Sequence, residues 1–280
     1  LPIAHGLGAR TDLPLPGWLF AWGAAIVLAV SFFALASLWT NAKLETARLR
    51  RLFAIPRWIE PLCGAIGIAI FAALVYFGFA GNQDPGRNVV PTFVYVFFWT
   101  MIPLLSAVLG DVFRPFNPWR AVGLGSSWLR ARVAPGRHHA PARFAYPEKL
   151  GLWPALLGLF AFGWLELVAG EDGREPKLLA TLMLVYLAFQ LVGMAMFGPR
   201  RWLERGDAFG VYFEFFSRIA PLTVVKRALH ARVPLSGLTD ITSIAGTVVF
   251  ICTMIGITVF DGLERGGIWQ SIAGKDPSTL

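Results

Sequence analysis

Long apolar runs without charge constrain the fold of this chain more than any other feature. No Asp, Glu, Lys or Arg lies between Asp12 and Lys43, or between Glu60 and Asp84. A hydrocarbon core about 30 Å thick is crossed by a helix of about 20 apolar residues. Because the backbone must satisfy its own hydrogen bonds in lipid, such runs form helices rather than open strands. The sequence therefore predicts an all-α integral membrane protein.

Six runs of this kind predict a bundle of six transmembrane helices in one polytopic domain, 1–280. Composition agrees, because 56% hydrophobic and 15% charged residues exclude an ordinary soluble domain. The predicted helices are 17–39, 61–81, 89–110, 150–170, 178–198 and 242–260. A further amphipathic helix, 207–220, is predicted to lie in the interface on the cytoplasmic side, capped by Asp207. The chain starts at Leu1 without a methionine, so either a leader was removed or the chain is part of a longer protein.

The basic residues predict the orientation of the helices. Counted by connection from the N-terminus, Lys and Arg number one, five, one, seven, two, seven and two. Basic connections stay in the cytoplasm. We therefore expect a bacterial cytoplasmic (inner) membrane protein with both chain ends outside. The net charge of +8 then reflects topology and contact with the lipid bilayer, so nucleic acid is not an expected partner.

The stretch GDVFRPFNPWR, residues 110–120, is the most structured exit from any apolar run. Its two prolines exclude a simple continuation of the third helix. Asp111 and Arg114 are three residues apart and would pair if that helix extended by one turn. In a functional interpretation, Asp111 is a base or proton acceptor at a re-entrant corner.

The second half of this stretch has two interpretations as well. Asn117 before a proline suits a turn, and Trp119 with Arg120 suits an anchor at the lipid headgroups. In the alternative, Arg114 and Arg120 bind an anion at the corner. The sequence does not decide between a helix stop and a ligand site.

Two more acidic residues are candidates. Glu166 lies inside the fourth apolar run, where an acid is costly and often functional, yet it is near enough to the outer boundary to reach water. Asp240 belongs to a polar stripe, with spacings of four, three and four, predicted on one face of the last helix: Ser236, Asp240, Ser243 and Thr247. The stripe would line a polar path or bond neighbouring helices.

Recognisable catalytic motifs are absent from the sequence. There is no P-loop, HExxH or GxSxG motif. Cys63 and Cys252 both lie in apolar runs, where thiols act as small hydrophobic groups. The sequence thus identifies no catalytic residue, cofactor or metal site.

Three stretches resemble bacterial multi-pass membrane proteins labelled fenitrothion hydrolase or fenitrothion hydrolase-like. They are AHGLGARTDLPLP at 4–16, GDVFRPFNPWRAV at 110–122 and FFSRIAPL at 215–222. The resemblance implies hydrolysis of organophosphate-type esters, with a second subunit. This chain lacks the dense His and Asp cluster of a binuclear metal phosphotriesterase.

Three functions therefore remain open. A membrane hydrolase rests on the resemblance. A permease or channel for a small solute rests on Pro103, Glu166 and the polar stripe. A non-catalytic subunit or assembly factor, bound to another membrane subunit, rests on stripes of small residues that let helices approach closely, such as Ala65, Ala69 and Ala73.

Overall fold

A computed structural model describes residues 17–38, 44, 49–133 and 143–263. By its internal contacts the chain divides into two units, 1–46 and 47–280. The first unit contains helix α1 (Gly17–Leu38), which matches the helix predicted over 17–39. The second unit holds the other elements that the structure describes.

Four helices in the described part of the chain are long and apolar enough to cross a membrane. They are Ile59–Ala80, Val89–Leu109, Glu148–Leu167 and Pro176–Phe197. They match the predictions over 61–81, 89–110, 150–170 and 178–198, which supports insertion in a membrane. Two further apolar helices, Trp22–Ser37 and Thr247–Leu263, are shorter over the residues searched. The number of six spans stays a prediction.

The helix Val89–Leu109 is irregular in its middle. It consists of α3 (Val89–Thr92), a π-helical segment (Phe93–Met101) and α4 (Ile102–Leu109). The π-helical segment ends just before Pro103. A proline cannot donate a backbone hydrogen bond, so local re-registration of this kind is a common result.

Helix α2 (Ile59–Ala80) packs through glycines. The buried glycines on its face are Gly64, Gly67 and Gly78. A Cβ on Gly78 would lie 2.5 Å from the Cβ of Ala180 on helix α8 (Pro176–Phe197). The stripe predicted for packing is instead exposed: Ala65, Ala69 and Ala73. Within the chain, close packing therefore uses the glycine face of α2, because glycine permits the closer approach. The exposed stripe stays a prediction of a surface for another membrane subunit.

Three strands form a sheet at one end of the bundle. Strands β1 (Arg50–Ala54), β2 (Leu222–Val225) and β3 (Ala228–Ala231) are antiparallel, in the order β1-β3-β2. We call this end the basic end. The sheet joins the first and third of the predicted basic connections. The second begins there too, because a Cβ on Gly110 would lie 2.8 Å from the carbonyl oxygen of Leu222.

Helices α9 (Pro199–Arg205) and α10 (Ala208–Ser217) turn back into the bundle after α8. The ring nitrogen of Trp202 in α9 donates a 2.7 Å hydrogen bond to the side-chain oxygen of Gln190 in α8. The core-facing residues of α10 are Ala208, Phe209, Val211, Tyr212, Phe213 and Ser217. The interfacial helix predicted over 207–220 is therefore not confirmed. A helix that is apolar on most sides is stabilised by burial in the core rather than at a surface.

The last helix, α11, is Thr247–Leu263, whereas 242–260 was predicted. A short 3₁₀ helix, Ser236–Asp240, precedes it and is separated from it by an irregular segment. Thr247 is buried, while Asp240 and Ser243 are exposed. The predicted polar stripe on one helix face is therefore wrong, because its members do not belong to one helix.

Candidate functional site

Two irregular segments enter the bundle from the basic end. The first is helix α5 (Phe113–Phe116) followed by α6 (Pro118–Val133). A Cβ on Gly67 would lie 1.8 Å from the carbonyl oxygen of Phe116, so this corner abuts α2. Gly67 lies eight residues into α2, roughly 12 Å along the helix. The second segment is the α9–α10 pair.

The two segments meet at Asp207, the residue between α9 and α10. Its Oδ2 accepts hydrogen bonds from Nδ2 of Asn117 at 2.8 Å and from Nε1 of Trp119 at 2.7 Å. Its Oδ1 accepts one from the hydroxyl of Tyr186 at 2.9 Å. Asp207 has no exposed surface. We call these four residues the Asp207 node.

Each donor of the node is fixed by its own element. Asn117 lies just before α6, and its Oδ1 accepts the backbone N–H of Arg120 at 2.9 Å. Trp119 is 4% exposed and packs edge-on against Tyr186, with ring centroids 5.2 Å apart. Tyr186 lies at the middle of α8, and its hydroxyl also accepts the backbone N–H of Ala208 at 3.0 Å. The node therefore links four elements of the bundle.

The electrostatics of the node depend on one acidic group. All three donors are uncharged, and Asp207 lies outside the four candidate membrane helices. Burial raises the pKa of Asp207, while the hydrogen bonds from Trp119 and Tyr186 oppose that rise. Because burial favours the protonated form and the hydrogen bonds favour the charged form, this carboxyl group can exist in either state.

The sequence pointed to part of this node only. It singled out Asn117 and Trp119, but Trp119 is buried and not at the lipid headgroups. It gave Asp207 no role beyond capping a helix, and that role was wrong, because the side chain makes no capping hydrogen bond to α10. The signal that could have identified Asp207 is an acid directly before a strongly apolar segment, AFGVYF. Its position beside Tyr186 depends on chain reversal after α8, which no local pattern specifies.

Asp111 lies at the surface of the same corner and is half-buried. Its Oδ1 accepts the backbone N–H of Arg114 at 3.1 Å, so it caps α5. The predicted side-chain pair with Arg114 required a longer third helix, but that helix ends at Leu109 because Gly110 adopts φ +92°. Burial raises the pKa of Asp111 to about 6.

The other predicted site residues lie apart from the node. The side chain of Arg120 forms an ion pair with Glu60 at the start of α2. Glu166 is half-buried in the last turn of α7 (Trp153–Leu167), and Asp240 is exposed. In the described part of the chain, no group of three or more His, Cys, Asp or Glu side chains is arranged to hold a metal ion.

No family model, curated protein or solved structure matches this chain. The resemblance to the fenitrothion hydrolase proteins thus stays a prediction.

Proposed function

We propose that the protein is a proton-coupled permease for a small solute, with Asp207 as the carboxyl group that binds the proton. The observation that carries this proposal is the complete burial of Asp207 among uncharged donors, where two re-entrant segments meet. Acids inside membrane bundles are costly and mark ion or proton pathways. Irregular backbone at that depth is tolerated where it is buried in protein or lines a cavity.

Protonation of Asp207 would change the hydrogen bonds of the node. The N–H groups of Asn117 and Trp119 can only donate, so Oδ2 stays an acceptor and the proton belongs on Oδ1. There it must be donated to the hydroxyl of Tyr186, which already accepts the N–H of Ala208. Proton uptake therefore exchanges donor and acceptor in the hydrogen bond between Asp207 and Tyr186 of α8. A reversible link of this kind is the two-state element that coupled transport requires.

In this proposal the basic end faces the bacterial cytoplasm and the protein lies in the inner membrane. Two observations support this orientation. The connections with five, seven and seven basic residues follow the positive-inside pattern. The sheet also brings the first and third of these connections to the same end.

Proton flux into proteoliposomes tests the proposal. A potassium diffusion potential drives protons, and a trapped pH-sensitive dye reports them. Vesicles with wild-type protein should show a higher proton flux than protein-free vesicles. Asp207→Asn should reduce this flux about tenfold, whereas Asp240→Asn, at an exposed position, should keep it. Wild-type flux equal to that of empty vesicles would sink the proposal, as would full flux in Asp207→Asn.

A hydrolase of organophosphate-type esters is a second candidate, favoured by Asp111. A pKa of about 6 suits a general base near neutral pH, and Arg114 and Arg120 are close enough to affect it electrostatically. The resemblance also implies a second subunit for this activity. Purified protein should then hydrolyse a phosphotriester, and Asp111→Asn should reduce kcat about a hundredfold or more. A wild-type protein that stays inactive when purified together with the subunits it retains in mild detergent removes this candidate.

A further inference from the structure

The three-stranded sheet lies next to the start of α2, a candidate membrane helix. Its hairpin turn consists of Lys226 and Arg227, between β2 and β3. The carbonyl oxygen of Arg227 accepts the backbone N–H of Ile55 at 2.8 Å. Helix α2 begins only four residues later, at Ile59. Four residues span at most about 14 Å, so the turn lies within that distance of the end of a candidate membrane helix.

A tryptophan lies at the same end of α2 as the hairpin turn. Trp58 directly precedes α2 and is 64% exposed. Tryptophan side chains are enriched where lipid headgroups meet the hydrocarbon. The start of α2 and the hairpin turn therefore belong to the headgroup layer.

Exposed cations surround this turn. Besides Lys226 and Arg227, the exposed basic residues of the sheet and its exit are Arg50, Arg51 and Arg57. Each of the six ion pairs found among the described residues involves other side chains. A concentration of positive charge at this level complements anionic lipid headgroups, which attract basic residues near a membrane surface.

The sheet also exposes apolar side chains beside the cations. Phe53 and Val224 share one cross-strand row through Leu229, and they are 59% and 58% exposed. Leu52, at the irregularity in β1, is 45% exposed. Adjacent apolar and basic groups are typical of surfaces that lie in a membrane interface.

The two charged residues of the turn adopt an unfavourable backbone conformation. Lys226 and Arg227 adopt φ +47° and +61°. Two-residue hairpin turns with both central residues at positive φ favour Asn-Gly or similar pairs, because side chains with a Cβ are disfavoured there. A Lys-Arg pair is thus placed where it weakens the fold, which indicates a role for the charges.

We propose that the β1 strand and the Lys226–Arg227 turn bind the headgroups of anionic phospholipids in the membrane that the bundle spans. The guanidinium and ammonium groups contact the lipid phosphates, and the row of Phe53 and Val224 contacts the upper acyl chains. The site rests on the position of the sheet beside the start of α2, on its exposed cations and on its apolar row, so it depends on neither transport nor catalysis.

Native mass spectrometry in mild detergent tests the site. Phosphatidylglycerol and phosphatidylcholine are titrated separately onto wild-type protein and onto the double variant Lys226→Asn with Arg227→Gly. The variant removes both charges but supplies the pair that the turn favours, so its melting temperature should be equal or higher. We expect phosphatidylglycerol to bind about thirtyfold more weakly to the variant.

The matched control is Lys177→Asn. Lys177 is exposed in the first turn of α8, at the end of the bundle opposite to the sheet. It should leave phosphatidylglycerol binding unchanged. Equal binding of phosphatidylglycerol by the wild-type protein and the double variant would overturn the proposal. The proposal would also be overturned if the wild-type protein bound phosphatidylcholine as tightly as phosphatidylglycerol.

Discussion

Residues 110–113 and 206–209 are two versions of the same short sequence, Gly-Asp-x-Phe, in very different surroundings. Each Asp precedes a helix that enters the bundle from the basic end, α5 and α10 respectively. Each Phe packs against the ring of Phe98, with centroids 5.5 Å away for Phe113 and 4.8 Å for Phe209. Locally, each tetrapeptide leads into a helix, although only Asp111 caps its helix with its side chain.

Their carboxyl groups differ because of what surrounds them. Asp111 stays half-buried at the surface and caps its own helix. Asp207 is fully buried and binds donors from segments that are distant in sequence. The comparison teaches that the pattern specifies a helix start, whereas the approach of other elements turns one of the two acids into the centre of a buried network.

The largest difference between the two regions should be in the stability lost when each carboxyl group is removed. Asp207→Ala leaves Asn117, Trp119 and Tyr186 without their acceptor, at about 1–3 kcal/mol for each buried donor. We expect about 5 kcal/mol of lost stability, measured as a large fall in melting temperature in detergent. Asp111→Ala removes a helix cap and should cost about 1 kcal/mol. Equal losses of stability in the two variants would show that the Asp207 node contributes no more than a helix cap does.

The deep corner can also be disturbed from α2. Gly67→Ala forces a Cβ against the backbone of Phe116, so we expect about 3 kcal/mol of destabilisation. The matched control is Gly256→Ala in α11, where a Cβ would meet nothing within 4 Å. That change should stabilise by about 0.5–1 kcal/mol, because alanine favours a helix. A Gly67→Ala protein that melts at the wild-type temperature would contradict the close contact.

Two tryptophans test whether Asp207 is charged. Trp119 donates to the carboxyl group of Asp207 and Trp202 to the neutral amide of Gln190, both at 2.7 Å. If the carboxyl is ionised, Trp119→Phe should cost about 2 kcal/mol and Trp202→Phe about 1 kcal/mol. The difference should shrink as the pH falls through the raised pKa of Asp207, since protonation removes the charge. Thermal melts of both variants across pH measure it, and a difference that does not change with pH would mean that Asp207 does not titrate.

The smallest expected effect is at the surface carboxyl. Because its pKa is raised, the folded protein keeps a proton on Asp111 that the unfolded chain releases between pH 3.8 and about 6. Stability should fall as the pH rises through this window. A shift of about two pKa units corresponds to about 3 kcal/mol, and solvent screening at this half-buried side chain reduces it to about 1 kcal/mol. Asp111→Asn should remove that loss, so the variant matches the wild type below pH 3.8 and is more stable by about 1 kcal/mol above pH 6. A variant with an unchanged pH profile of melting would assign the dependence to another group.

Some features were accessible from the sequence because they depend on neighbours along the chain. Run length and lack of charge located four long helices. The small-residue stripe at Ala65, Ala69 and Ala73 is exposed, so the chain packs its own helices on another face of α2. Several faces of α2 are small and apolar, so only the elements packed on it select the face with Gly64 and Gly67.

The sequence by itself determined that this chain forms apolar helices suited to a membrane, since hydrophobicity and backbone hydrogen bonding act over each run separately. It also determined about where α10 begins, because an acid after a glycine and before an apolar segment favours a helix start. The tertiary structure alone decided that Asp207, rather than Asp111 or Glu166, lies among Asn117, Trp119 and Tyr186. Burial of a carboxyl group depends on contacts between residues about 20 to 90 positions apart, and these exist only after the helices pack.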